Sequence, residues 1–137
     1  MKDSGVLTIY TDGAARANPG PAAFAYVIQR DGQDDVEEKG RMGIATNNVA
    51  EYTALIKALE HAKELGGRRL AIHSDSELMV NQMKGAYKVK NAGLRPLYED
   101  ARRLWEEFDH VTIRHVRREE NSRADALCNE ALDGEFD

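Results

Sequence analysis

The sequence predicts an α/β fold in which a mixed sheet is covered by helices, and three observations carry that prediction. Before Asn47 the chain holds three strand-like segments and no helical period; at Asn47 apolar residues begin to recur every three to four positions; from there strand-like and helical segments alternate to the end. Strands that first pair in a meander and then alternate with helices form a sheet with antiparallel and parallel parts.

In VLTIYTDG, β-branched and apolar residues alternate up to the turn dipeptide Asp12-Gly13, so Asp12 reads as the last residue of the first strand. AAFAYVIQRDG is a second strand closing at Asp31-Gly32, and residues 36–44 return as a third. Tyr52, Leu55, Ile56, Leu59, Ala62 and Leu65 then follow the i, i+3, i+4, i+7 rule until Gly66-Gly67 stops the helix. RLAIHS is a short strand, residues 76–83 a short helix, and a basic loop leads to a long helix marked by Leu94, Leu97, Tyr98, Ala101, Leu104, Trp105 and Phe108, with Pro96 in its first turn. The helical period of Tyr98, Trp105 and Phe108 reads as core packing, not as a base-stacking platform. HVTIRHV is a fifth strand, and the segment after Asn121 is a closing helix with Ala124, Leu127, Cys128 and Ala131 on its apolar stripe. No internal repeat or low-complexity tract interrupts this order.

A length of 137 residues is that of one domain, expected to span 1–137 as a monomer, and 42% hydrophobic with 31% charged residues excludes a disordered or fibrous chain. The single Cys128 cannot form an intramolecular disulfide, MKDSGVLTIY lacks the apolar region of a signal peptide, and no apolar run is long enough for a membrane span. A soluble protein of the reducing cytoplasm is expected. Lys plus Arg at 19 against Asp plus Glu at 24 leaves a net charge of −5, which argues against gripping nucleic acid by bulk charge. The charge is unevenly spread: residues 31–38 carry Asp31, Asp34, Asp35, Glu37 and Glu38, whereas residues 84–95 carry Lys84, Lys88, Lys90 and Arg95 and no acid.

Four carboxylates stand at strand ends or helix starts with side chains directed toward the fold. Asp12 shares a strand face with Tyr10, Thr8 and Val6; Glu51 lies beside the stripe of Leu55, Ala58 and Ala62; Asp75 joins the fourth strand to the next helix; Asp125 shares a sector with Cys128 and Leu132. Each also has an ordinary structural role open to it: a turn at Asp12-Gly13, an N-cap at Asp75, and capping boxes at Ser122-x-x-Asp125 and, nearly, Asn48-x-x-Glu51. In a mixed sheet these ends converge on one edge, and four carboxylates meeting there repel one another unless cations neutralise them. Oxygen ligands without a His or Cys cluster select Mg²⁺ or Mn²⁺, and two such ions suit phosphoryl transfer.

At these residues the chain resembles the type 1 ribonucleases H. YTDGAARANPGPAAFAYVI is similar to that family's opening motif, TNNVAEYTALIKALEHA to the second, SDSELMVNQMKG to the third and HVRREENSRADALCNEAL to the last, in order and over almost the whole chain. The resemblance implies the ribonuclease H-like fold, a five-stranded mixed sheet with three antiparallel strands first, flanked by helices. It implies cleavage of the RNA strand of an RNA/DNA hybrid by two Mg²⁺ ions, with Mn²⁺ as a substitute, to 5′-phosphate and 3′-hydroxyl ends. The implied metal ligands are Asp12, Glu51, Asp75 and Asp125. Asn18, Thr46 and Asn48 match positions that meet the DNA phosphate or minor groove in the family, and Asn47, Asn48 and the backbone at Gly13 suit recognition of the 2′-hydroxyl; turn and cap chemistry is their plain alternative.

Departures from the family pattern are informative. Glu77 stands where Gln is frequent, and GAYKVKNAGL runs straight into the long helix without the basic protrusion of some bacterial members, leaving the hybrid grip to Lys84, Lys88, Lys90 and Arg95. No separate N-terminal hybrid-binding domain is expected. The loop before Asp125 lacks the family's frequent His. His115 alternates with Val111 and Ile113 and reads as a packed or sheet-edge residue, while Arg118 resembles the HVxRExN variant of the archaeal-like branch and is the better candidate to assist catalysis at the phosphate. Two alternatives stay open: a nuclease of this fold that also or instead cleaves double-stranded RNA, since both duplexes are A-form, and a non-catalytic nucleic-acid binding module, which the presence of all four acids disfavours.

Overall fold

The computed structural model describes residues 6–134. Five strands form one sheet in the order β3-β2-β1-β4-β5: β1 (Val6–Ala15), β2 (Gly20–Gln29), β3 (Val36–Ala45), β4 (Arg69–Ser74) and β5 (His110–His115). β1–β2 and β2–β3 pair antiparallel, β1–β4 and β4–β5 parallel, giving the mixed sheet read from the sequence. The helices are α1 (Asn47–Glu64), α2 (Glu77–Met83), α3 (Arg95–Trp105) and α4 (Ser122–Asp133), the last preceded by a 3₁₀ turn at Arg118–Asn121. The expectations for residues 1–5 and 135–137 lie outside the described residues.

β2 shows why both sheet faces need helices. Its side chains alternate between two cores: Tyr26 and Ile28 join Leu7, Ile9, Leu70, Ile72 and Ile113 under α1, whereas Ala23, Ala25 and Val27 pack beneath Leu127, Cys128, Ala131 and Leu132 of α4. The small alanines let α4 lie close to the strand. α1 is the main cover of the first face; Tyr52, Leu55 and Leu59 are fully buried, each such side chain contributing about 1.5–3 kcal/mol. Tyr98, Leu104 and Trp105 are half-buried against that core, as their period implied, and so is Phe108, although α3 is shorter than expected and leaves Leu94 at its N-cap and Phe108 in the turn beyond its end.

The helix ends carry local chemistry that bears on the site. Thr46 Oγ1 accepts the Val49 N–H at 3.2 Å and caps α1, and Ser76 Oγ accepts the Met79 N–H at 3.2 Å and caps α2. Gly66, at φ +77°, takes the left-handed conformation that ends α1. The basic loop between α2 and α3 is pinned from below: Tyr52 Oη donates to Gln82 Oε1 at 2.7 Å, Gln82 Nε2 donates to the Lys88 carbonyl, and Arg95 Nη1 donates to the Val89 carbonyl at 3.0 Å. Val89 and Leu94 are buried, so Lys84, Lys88 and Lys90 face solvent from an anchored segment.

α4 is held on the sheet by apolar packing and by ion pairs to β3. Arg123 donates twice to Glu37, at 2.7 and 2.8 Å, and Lys39 meets Glu130 at 2.8 Å. The bidentate geometry holds the Glu37 carboxyl below, and the Arg123 guanidinium above, their ordinary values.

Candidate active site

Three of the four acids meet at the point where β4 leaves β1. The parallel pairing of these strands ends at Thr11 and Ser74, so the next residues, Asp12 and Asp75, project at the same level. β1 does not stop at Asp12, as the turn dipeptide suggested, but continues to Ala15 against β2. The reason is Gly13, which serves close approach and not a turn: a Cβ there would lie 2.3 Å from the carbonyl carbon and oxygen of Ala50 and 2.5 Å from the amide nitrogen of Glu51. The first turn of α1 therefore rests directly on β1, and Glu51 comes in beside Asp12. Asp75 is likewise not an N-cap, since Ser76 fills that position and leaves the Asp75 carboxylate free for the cleft. Nor does Asp125 complete a capping box: the N-cap of α4 is Asn121, without a side-chain cap bond.

One carboxylate oxygen from each of Asp12, Glu51 and Asp75 lies within 4.8 Å of the others. Asp12 and Glu51 are buried, at 5% and 8% exposure. Asp125 stands outside this tight group but lines the same cleft, of about 380 Å³, together with His115, Arg117 and Arg118. Its carboxylate is met by Arg118 Nη2 at 3.4 Å. All four acids thus line one cleft, three of them in a tight group and Asp125 outside it.

The electrostatics of the cleft are those of crowded, desolvated carboxylates. Burial, then Asp75 and Asp125, push Asp12 up to about 8, with Arg118 and the Gly13 N–H pulling the other way. Glu51 is raised well above the usual carboxylate range by burial, then by Asp12 and Asp75. Asp75 is raised by burial and Asp125, against its own backbone N–H, Arg118 and a hydrogen bond with Asp12. Glu51 Oε1 is buried without a hydrogen-bond partner among the described residues. An orphaned carboxylate oxygen beside two further acids fits a hard divalent cation, which supplies both the missing partner and the missing positive charge.

The remaining candidates fall into two groups. Asn18, Thr46 and Asn47 cluster where β1 meets α1: Asn18 Oδ1 accepts the Asn47 N–H at 3.0 Å and Asn47 Oδ1 accepts the Ala15 N–H at 2.8 Å, while Asn48 is exposed in the first turn. Their turn and cap chemistry is therefore real, and Asn18, Asn47 and Asn48 are all exposed residues. Lys88, Lys90 and Arg95 line a separate groove of about 490 Å³ with Tyr87 and Tyr98, sharing no residue with the acidic cleft. Of the two placements open to His115, packed or at the sheet edge, the structure shows the edge: Ile113 is buried, but His115 ends β5 exposed and at the cleft. Sequence reasoning did not single out Arg117 or Asn121. Arg117 follows the last strand in an irregular loop, and Asn121 carries no periodic signal.

A family model described as reverse transcriptase-like matches residues 10–131. Ribonuclease HI of Halobacterium salinarum is 46% identical over 130 residues, which are 94% of this chain and 65% of that protein. A protein of Mycobacterium bovis is 42% identical, with the chain spanning 35% of its length. The chain thus covers less than two thirds of these relatives. Among solved structures, RNase H1 from the same Halobacterium superposes with a TM-score of 0.90 at 45% identity, over 94% of this chain and 98% of that one. LC11-RNase H1, solved in complex with an RNA/DNA hybrid, gives 0.89 at 40% identity over 96% and 99%. Sheet order, the grouping of the acids and similarity over nearly the full chain agree, and the protein belongs to the type 1 ribonuclease H family.

Proposed function

We propose that this protein is an endoribonuclease that hydrolyses the RNA strand of RNA/DNA hybrids with two Mg²⁺ ions, which Mn²⁺ can replace, leaving 5′-phosphate and 3′-hydroxyl ends. It acts as a monomer through a single catalytic domain over residues 1–137, in the reducing cytoplasm, where the buried Cys128 stays a free thiol. Among the described residues, no helix is long and apolar enough to cross a membrane. The observation that carries the reading is the convergence of Asp12, Glu51 and Asp75 within 4.8 Å, in a chain whose structural relative LC11-RNase H1 was solved on a hybrid.

Asp12, Glu51 and Asp75 would hold one cation, and Asp125 with Asp12 the second. Two divalent cations held by these carboxylates would supply activation of the attacking water and stabilisation of the leaving oxygen. Because the proton affinities of Asp12, Glu51 and Asp75 are all raised, protons would compete with cations for these carboxylates, so loading is favoured by rising pH. Arg118, 74% exposed, exchanges its contact with Asp125 for a substrate phosphate, which its planar guanidinium can meet with two N–H donors. Asn47, Asn48 and the Gly13 backbone read the 2′-hydroxyl, Asn18 and Thr46 meet the DNA strand, and Lys84, Lys88, Lys90 and Arg95 grip phosphates further along the duplex.

Labelled RNA/DNA, RNA/RNA and DNA/DNA duplexes incubated with Mg²⁺, Mn²⁺ or EDTA test the proposal. Metal-dependent cleavage confined to the RNA of the hybrid supports it. Equal cleavage of RNA/RNA assigns the broader A-form specificity, and binding without cleavage assigns a binding module.

A further inference from the structure

Asn121 uses its side chain in an unusual way for a residue in its position. It is the N-cap of α4, where an Asn side chain ordinarily accepts an N–H of the helix's own first turn, yet it makes no such bond. Its carboxamide crosses the core instead: Nδ2 donates to the backbone carbonyl of Thr11 at 2.9 Å. Asn121 is 1% exposed, and its Oδ1 is buried without a partner among the described residues, as is the Thr11 hydroxyl. A buried, half-satisfied polar side chain is costly, and packing alone would be better served by an apolar residue.

The place of this bond gives it meaning. Thr11 is the last residue of β1 paired with β4 and immediately precedes Asp12. Asn121 stands one helical turn before Asp125 and closes the 3₁₀ turn that begins at Arg118. The bond therefore joins the strand that carries Asp12 to the helix start that carries Asp125. We propose that Asn121 is a positioning residue that sets the separation of Asp125 from the Asp12, Glu51 and Asp75 cluster and so assembles the second cation's site. The proposal rests on the two-cation reading above. It differs from a general stabilising role in being selective: loss of the bond loosens the fourth carboxylate and leaves the three close ligands, which β1, α1 and β4 hold, in place.

Isothermal titration with Mn²⁺ on the full chain, without substrate, tests this for wild type, Asn121→Ala, Asp125→Asn and the double variant, with melting temperatures in EDTA alongside. Outer-shell partners of metal ligands typically change affinity about 10–100-fold. The expected result is second-cation binding weakened at least about tenfold in Asn121→Ala, with the first within about threefold of wild type. In the Asp125→Asn background, Asn121→Ala is expected to add no further loss of cation affinity. Asn121→Asp, which keeps size and capping character but removes the donor, should behave like Asn121→Ala. A wild-type protein that binds fewer than two cations overturns the two-cation reading itself. Two cations in wild type with unchanged second affinity in a folded Asn121→Ala overturns only the role of Asn121, as does failure of both Asn121 variants to fold.

Discussion

Asp12 is the residue on which the site's electrostatics turn. Asp12→Asn is expected to lower turnover by several decades, as befits a cation ligand, and to raise the melting temperature in EDTA by roughly 2–8 °C. The gain should depend on pH. With a folded-state value of about 8 against 3.8 unfolded, native Asp12 keeps a proton between these limits that the unfolded chain has released, so wild-type stability falls as pH rises through that window. The melting-temperature difference between variant and wild type should therefore grow from pH 4 to pH 8 in EDTA and reverse in saturating Mg²⁺, where only wild type gains by linkage. At the rim, Arg118→Ala is expected to reduce turnover without changing the melting temperature. His115→Ala should change stability by no more than about 0.5 kcal/mol, because the side chain is exposed. Turnover against pH for both variants separates them: a limb near pH 6–7 that disappears only in His115→Ala would give that residue the proton-handling role. All four acids were legible in the sequence because each interrupts an otherwise apolar or structural pattern. The exposure of His115 was not, since strand alternation assigns a face but not where the covering helix stops.

Among the elements, the contact of β1 with α1 is the most demanding. Gly13→Ala is expected to cost stability at the upper end of the roughly 1–3 kcal/mol of overpacking and to weaken Mg²⁺ binding, because the added methyl meets backbone that cannot turn aside. Urea denaturation and cation titration measure both effects. Strand and helix order could be read from periodicity, and the observed elements match it closely. The end of β1 could not, because Asp-Gly signals a turn equally well whether or not the strand continues, and only the neighbouring helix decides. Asn121 illustrates the same limit: its partner is Thr11, 110 positions away, and no local pattern announces such a bond.

At the scale of the whole molecule, charge is divided between an acidic cleft and a basic loop. Replacing Lys84, Lys88, Lys90 and Arg95 together by Ala should lower the slope of log K against log salt by about 0.9 for each phosphate that the loop no longer neutralises. KM should rise more than kcat falls, with the acidic cleft unaltered. Filter binding of a catalytically silent hybrid complex across a salt series gives the slope; an unchanged value would assign the loop to solvation. The sheet order has a temporal consequence too. Asp12 belongs to the first strand and Asp125 to the last helix, so at about 5–20 residues per second the ribosome delivers the two on the order of ten seconds apart. A nascent chain that has emerged only through Arg117 carries three of the four acids and cannot complete the cleft. The cleft is thereby completed only after the α4 segment has been synthesised, and a polypeptide abandoned by a ribosome stalled before Asp125 lacks the fourth acid.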